Sequence, residues 1–558
     1  MNGDTMGSAP TRERAMDHVV LVIFENRSFD SLLGYLYSEE EKPEFEGVWG
    51  RDLKNPVPEW AIQIPPTEAG PEPGYVYYGK AATLDTPNPD PGEEYQHTNT
   101  QLFNILDPEN RGQPAHRMPT TNAPEPGRNP TMDGFVTDYI SNYQALRHEL
   151  PEFEQYRQIM QGHTPDQVPV LSSLARGFAV FDHWFSEVPS QTFPNRSFWT
   201  AATSSGLVVN SPAKGYYFEN KAETIFDRLE EHGRTWKVYV LEPCPISVTG
   251  AIHTPRLKQH FHDKFVPFAE FESDVRNGTL PDFSLIEPNL LAGHADYHPP
   301  FGDSLIAGVD LPVDWGSAIT SGENFLARLY TAIRDAPTDG PTGTSSTVWN
   351  TALFVGWDEP GGTYDHVPPP AVEPPDDHEG QLGFAFDRSG YRVPAVVVSP
   401  WVPEQTLVSE EYRHTSMIAT LRKVWSLGDA PLTRRDGSAR TFEHLFSLDR
   451  PRDPATWPAV TTHDEPDADG HVDPFTFRSS MGSLGRHLIH GMSHLYRAAD
   501  HEVDPDQFDP AVEVPQRVFM DAAREFGGHF FTRLVHRGQP ASDVPPGVTS
   551  TSRTTADR

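Results

Sequence analysis

Short apolar runs alternate with helical patterns along the first 430 positions. HVVLVIF (18–24) precedes SFDSLLGYL, and TWKVYVL (235–241) follows TIFDRLEEHG, closed by Gly233. DFSLIEP (282–288) follows FAEFESDVRNG, closed by Gly278, and TALFVGW (351–357) follows NFLARLYTAIRDA (324–336). VPAVVVSP (393–400) is followed by HTSMIATLRKVWSLG (414–428). Continuous apolar strands separated by helices predict an α/β fold whose largely parallel sheet is covered on both faces.

Three stretches break the rhythm. Residues 40–95, 108–131 and 367–381 are rich in Pro, Glu and Gly and are expected as loops around the site rather than as core. The βα alternation stops near residue 430. The expected organisation is a flexible N-terminus (1–16), a catalytic domain (17–430), a partly helical C-terminal extension (431–535) and a disordered tail (536–558). The helix of the extension is expected in VPQRVFMDAAREFGGHFFTRL (514–534).

Charge narrows the partners. With 44 Lys and Arg against 79 Asp and Glu, the 558-residue chain carries a formal −35, which repels nucleic acid and anionic membranes on average. One cysteine, Cys244, excludes an internal disulfide. No segment approaches the ~20 apolar residues of a membrane helix, and no leader pattern precedes residue 18. A cytoplasmic protein without an integral membrane segment is expected. Oligomeric state is not legible.

In parallel sheets, ligands bind beyond the carboxyl ends of the strands. Two acidic pairs stand there: Glu25-Asn26 after HVVLVIF and Asp358-Glu359 after TALFVGW. Buried carboxylates must be paired or bound to metal. Thr192, in PSQTFPNRSF, precedes Pro194 and a run, SFWTAATSSG, that reads as a helix ending at Gly206. Thr192 is then either an ordinary N-cap or a hydroxyl nucleophile activated by a cation. Together with the acidic pairs it makes an all-oxygen set suited to Mg²⁺, Ca²⁺ or Mn²⁺. His97, His298 and His366 lie in polar, Pro-flanked stretches and could bind a phosphate oxygen or protonate a leaving group; His183, His294 and His414 are weaker candidates. Trp184, Phe185, Phe193, Phe198 and Trp199 could rim a lipid pocket or belong to the core.

ENRSFD, PSQTFPNRSF, DYHPP, WDEPGGTYDHVPPP, YRVPAVVVSPW and HTS occur in this order. The series resembles the phosphoesterase family, which holds non-specific phospholipases C and acid phosphatases, across roughly residues 17–428. The resemblance implies a three-layer α/β/α sandwich similar to the alkaline phosphatase superfamily. It also implies hydrolysis of a small phosphate ester or a phospholipid, and one divalent metal ion (Mg, Ca, Mn or Zn). By position, Glu25, Asn26, Thr192, Asp358 and Glu359 match the family's metal-and-nucleophile set, with Thr192 passing through a phospho-threonine. His97, His298 and His366 match histidines around its phosphate pocket. Asn195, Arg196 and the amides after Thr192 are expected to bind the substrate phosphate. Pro360 departs from the DEHGG pattern of many relatives.

Two other readings stand beside this one. TFPNR is similar to a sulfatase signature, but Thr192 cannot give the aldehyde that sulfatases derive from Cys or Ser. A non-catalytic binding protein on the same scaffold would lack ligands or nucleophile, and both are present in the sequence.

Overall fold

The computed structural model describes residues 9–61, 72–210, 215–241, 247–290, 295–300, 305–306, 309–310, 318–339 and 343–463. Cys244, His294 and the helix expected at 514–534 lie outside them.

Eight strands form the central sheet: β1 (His18–Phe24), β2 (Ala179–Phe181), β3 (Trp236–Val240), β4 (Phe265–Pro267), β5 (Phe283–Glu287), β6 (Thr351–Trp357), β7 (Ala395–Val398) and β8 (Thr406–Val408). Their order is β8-β2-β7-β6-β1-β5-β3-β4. β1 pairs in parallel with both β5 and β6, β3 in parallel with β5 and β4, and β8 in parallel with β2. Only β7 runs against its neighbours. Every residue of β1 and β6 is buried, as expected of strands covered on both faces.

The helices that frame the site are α1 (Phe29–Leu33), α2 (Tyr95–Phe103), α3 (Phe135–Arg147), α4 (Pro169–Gly177), α5 (Thr192–Ala201), α6 (Ala318–Arg334) and α7 (Thr415–Val424). Alternation along β6 separates two helical layers. Phe354 faces Trp199 of α5, with ring centroids 5.8 Å apart. Trp357, on the other face, meets Phe24, which in turn meets Phe325 of α6 at 6.4 Å. Gly356 makes room for α5: a Cβ there would lie 3.1 Å from the Trp199 ring. The helix carrying Thr192 is thereby set close against the sheet.

The first Pro-rich insertion contributes core as well as loop: Val57, Ala61 and Val76 join a satellite core with Leu102, Phe103, Phe135, Tyr139, Tyr156, Tyr364 and Tyr391. Beyond residue 430, Phe442, Leu445, Phe446 and Trp457 join the main core. Trp184, Phe185, Phe193, Phe198 and Trp199 are all buried, so they form core and not a lipid-facing rim.

Candidate active site

Register builds the site's centre. Phe24 pairs with Trp357, so the next residues, Glu25 and Asp358, emerge side by side at the strand ends. The Asp358 amide donates to Phe24 O at 3.0 Å and the Glu25 amide to Asp296 O at 2.9 Å. Asn26 then turns the chain with φ 56°, a left-handed conformation that Asn tolerates better than most residues. Its amide meets Asp358 Oδ1 at 3.4 Å.

Arg196 lies between the two carboxylates. Its Nη2 is 2.9 Å from Glu25 Oε1 and its Nε 3.0 Å from Asp358 Oδ2, with all three side chains buried. Nε and Nη2 of the guanidinium are thus committed to the protein's own acids, while Nη1 has no hydrogen-bond partner among the described residues. Asn195 is committed likewise. Its Oδ1 accepts from the amides of Glu187 and Val188 at 2.9 Å, and its Nδ2 donates to the carbonyls of Val188, Ser190 and Gln191. It shapes the loop ahead of α5 and has no polar group left for a substrate. The first amide after Thr192 is also used, since Phe193 N donates to Asn210 Oδ1 at 2.8 Å.

Thr192 is the first residue of α5, with Gln191 as N-cap. The helix stops at Ala201, and Ala202 caps it with φ 57°, several residues before Gly206. Glu93, supplied by the first Pro-rich insertion, joins this helix to the acidic corner. Its Oε1 accepts from Gln191 Nε2 at 3.0 Å and its Oε2 from Asn26 Nδ2.

The site is electrostatically overloaded with acid. Burial, then the adjacent Asp358 carboxylate, push the Glu25 carboxyl well above its ordinary range, against the pull of Arg196. Burial also lifts Asp358, with Arg196 opposing. Burial, Glu93 and Asp358 raise Glu359 well above its usual value. Glu93 itself rises to about 7 through burial and the Glu94 charge.

Among the described residues, four buried oxygens here have no hydrogen-bond partner: Glu25 Oε2, Asn26 Oδ1, Thr192 Oγ1 and Glu359 Oε1. They come from four of the five residues expected to hold a metal. Unpaired buried acceptors cost about 1–3 kcal/mol each. An oxygen-only donor set of this charge fits a hard divalent cation. Asp358 differs, since both its oxygens already accept hydrogen bonds.

The histidines separate. His298 belongs to this corner: its Nδ1 lies 2.7 Å from Pro299 O and its Nε2 2.9 Å from Asn26 Nδ2. His97 is buried on α2, its Nδ1 2.8 Å from Asp138 Oδ1. Burial opposes its charge, but Asp138 and Glu94 raise it to about 9. His366 sits in a second cluster, with Nδ1 2.6 Å from Asp30 Oδ2 and Nε2 3.1 Å from Glu46 Oε1. Arg392 pairs there with Asp30 and Asp365. Both ring nitrogens of His366 are engaged by carboxylates. His183 pairs with its neighbour Asp182 at 2.9 Å, and His414 is buried behind the site. No role for Glu93, Gln191 or Asp296 is legible in the sequence, although Gln191 stands in PSQTFPNRSF and Asp296 opens DYHPP. Glu93 is the first residue of EEYQHTN (93–99), the stretch that holds His97.

Buried acidic strand ends thus stand beside a helix-borne hydroxyl on a largely parallel α/β sheet, and the family match gives the class, hydrolases of phosphate esters. The chain belongs to the Phosphoesterase family, whose model matches residues 16–428. It is a phosphoric ester hydrolase. Non-specific phospholipase C6 of Arabidopsis thaliana is 33% identical over 462 residues, covering 79% of this chain and 75% of that protein. Non-specific phospholipase C3 of the same plant is 30% identical over 465 residues, covering 79% and 76%. Phospholipase C A of Mycobacterium tuberculosis (strain ATCC 25618 / H37Rv) is 25% identical over 484 residues, covering 80% of each. Among solved structures, a protein in the alkaline phosphatase superfamily from Vibrio parahaemolyticus overlaps with a TM-score of 0.30 at 13% identity, covering 49% of this chain and 62% of that one. That likeness is too slight to bear on the site.

Proposed function

We propose that the chain cleaves phosphate esters of the phospholipase C type, with Thr192 as nucleophile and one divalent cation held by Glu25, Asn26, Thr192, Asp358 and Glu359. The observation that carries this reading is the set of four buried, unpartnered oxygens on Glu25, Asn26, Thr192 and Glu359. The names of the relatives at 30–33% identity support a diester as substrate. A cation there would lower the proton affinity of the Thr192 hydroxyl and offset charge on the phosphoryl oxygens.

Thr192 Oγ1 attacks phosphorus, and the ester oxygen departs with its alcohol, which takes up the hydroxyl proton. The phosphoryl group remains on Thr192. Water then cleaves the new phosphorus–oxygen bond, restoring the hydroxyl and releasing the phosphorylated headgroup. Arg196 holds Glu25 and Asp358 in place and offsets part of their charge throughout.

The test is hydrolysis of p-nitrophenyl phosphate and p-nitrophenylphosphorylcholine side by side, with EDTA and with added divalent ions. Cation-dependent turnover of the choline diester is expected. Turnover of the monoester alone would replace the phospholipase reading with an acid phosphatase reading. Silence on both in metal-bearing protein would favour a binding protein.

A further inference from the structure

Asn26 must present oxygen, not nitrogen, if it is to hold a cation. A carboxamide has two faces of nearly equal shape, so something must choose between them. Two neighbours make that choice. Glu93 Oε2 contacts Asn26 Nδ2, and an ionised carboxylate can only accept. His298 Nε2 lies 2.9 Å from the same nitrogen. Its Nδ1 lies 2.7 Å from Pro299 O, a carbonyl that can only accept, so Nδ1 carries the proton. In the neutral ring, Nε2 is then a bare acceptor as well. Both contacts demand that Asn26 turn its NH2 toward them. The oxygen left over is the buried, unpartnered Oδ1.

Resting on the cation reading above, we propose that Glu93 and His298 are positioning residues: they select the Asn26 rotamer that offers its carboxamide oxygen to the cation. Glu93 does this while its other oxygen anchors Gln191 at the head of the Thr192 helix. One side chain from the Pro-rich insertion therefore sets both the ligand and the nucleophile's helix. Partners behind metal ligands typically carry 10–100-fold in affinity.

The substitution Glu93→Gln keeps shape while adding a donor, so Asn26 can flip. Calorimetric titration of the chelator-treated full chain with Mn²⁺ should show the dissociation constant rise at least about tenfold. The reciprocal exchange, Asn26→Asp with Glu93→Gln, swaps donor and acceptor at constant charge and should recover most of the lost affinity. A merely structural role would lower the melting temperature without that recovery. Equal Mn²⁺ affinity in wild type and Glu93→Gln would overturn this inference alone. Absence of any Mn²⁺ binding by wild type would overturn the cation reading and this inference with it. Should Glu93→Gln fail to fold, His298→Phe tests the second acceptor by the same titration, and unchanged affinity there overturns the proposal.

Discussion

His414 Nε2 donates to the main-chain oxygen of Asp358 at 2.6 Å. Its Nδ1 accepts from Trp184 Nε1 at 3.1 Å, and the ring stacks on Trp199 with centroids 4.3 Å apart. The ring is thus a neutral spacer between core and site, and burial holds its pKa down to about 4. His414→Phe keeps the stack and orphans a buried N–H and C=O. The expected loss is about 2–6 kcal/mol, at about 1–3 kcal/mol per orphan. Differential scanning calorimetry checks this, and an unchanged melting temperature would refute it.

Titration of the buried histidines shapes stability against pH. His97 and His366 rise to about 9 from an ordinary 6.5: burial opposes their charge, but Asp138 and Asp30 outweigh it. They contribute fully below pH 6.5, and that contribution is lost as pH climbs through 9. Burial lowers His163 and His253 to about 3 and His414 to about 4. Their contribution is full above 6.5 and is lost as pH falls through 4 and then 3. The histidine contribution to urea stability should therefore peak near pH 6.5, while the raised carboxyls of Glu25, Glu93, Asp358 and Glu359 draw the overall maximum lower. His366→Gln should flatten the alkaline limb, and an unaltered limb would contradict the pairing with Asp30.

Gly361 has φ 60°, and a Cβ there would lie 2.3 Å from Asn26 O and 2.5 Å from Asn26 Cβ. Gly361→Ala must push Asn26 away or distort the turn, at about 1–3 kcal/mol. Gly383 has φ 74° and open space around it, so Gly383→Ala carries backbone strain alone. Phosphodiesterase activity should fall more than about tenfold in the first variant, the scale seen when a ligand's support is lost, and stay near wild type in the second. Equal activities would detach Gly361 from the site.

Cation binding should stabilise the fold, because it relieves the raised carboxyls of Glu25, Asp358 and Glu359. At one hundred times the dissociation constant the gain is about 2.7 kcal/mol. EDTA should reverse it in a thermal melt. Thr192→Ala should retain much of this shift yet lose turnover by at least about a thousandfold, whereas Thr192→Ser keeps a hydroxyl and measurable rate. Full activity in Thr192→Ala would remove Thr192 as nucleophile.

Much of this was legible in the sequence because burial writes itself into strands. The seven-residue apolar runs of β1 and β6 located Glu25 and Asp358 at their ends, and register then placed them side by side. Short strands were less legible: β2 spans only Ala179–Phe181, and three apolar residues have no period. Long-range pairing left no local trace. Arg196 reads like a phosphate binder, and only folding reveals that Glu25, 171 positions away, holds one side of its guanidinium. Glu93 was hidden in acidic, Pro-rich sequence that reads as solvated loop, although it reaches Asn26 across 67 positions. His366 lay in a matching motif, but Asp30 and Glu46 occupy its ring.

Arg196 follows Thr192 by one helical turn and is clamped to the ends of two neighbouring strands. Pulling the hydroxyl out of place would mean separating buried charges. The Thr192 hydroxyl is therefore fixed to the sheet like an anvil, and the first Pro-rich insertion, through Glu93 on Asn26 and Gln191, is bolted to the same block.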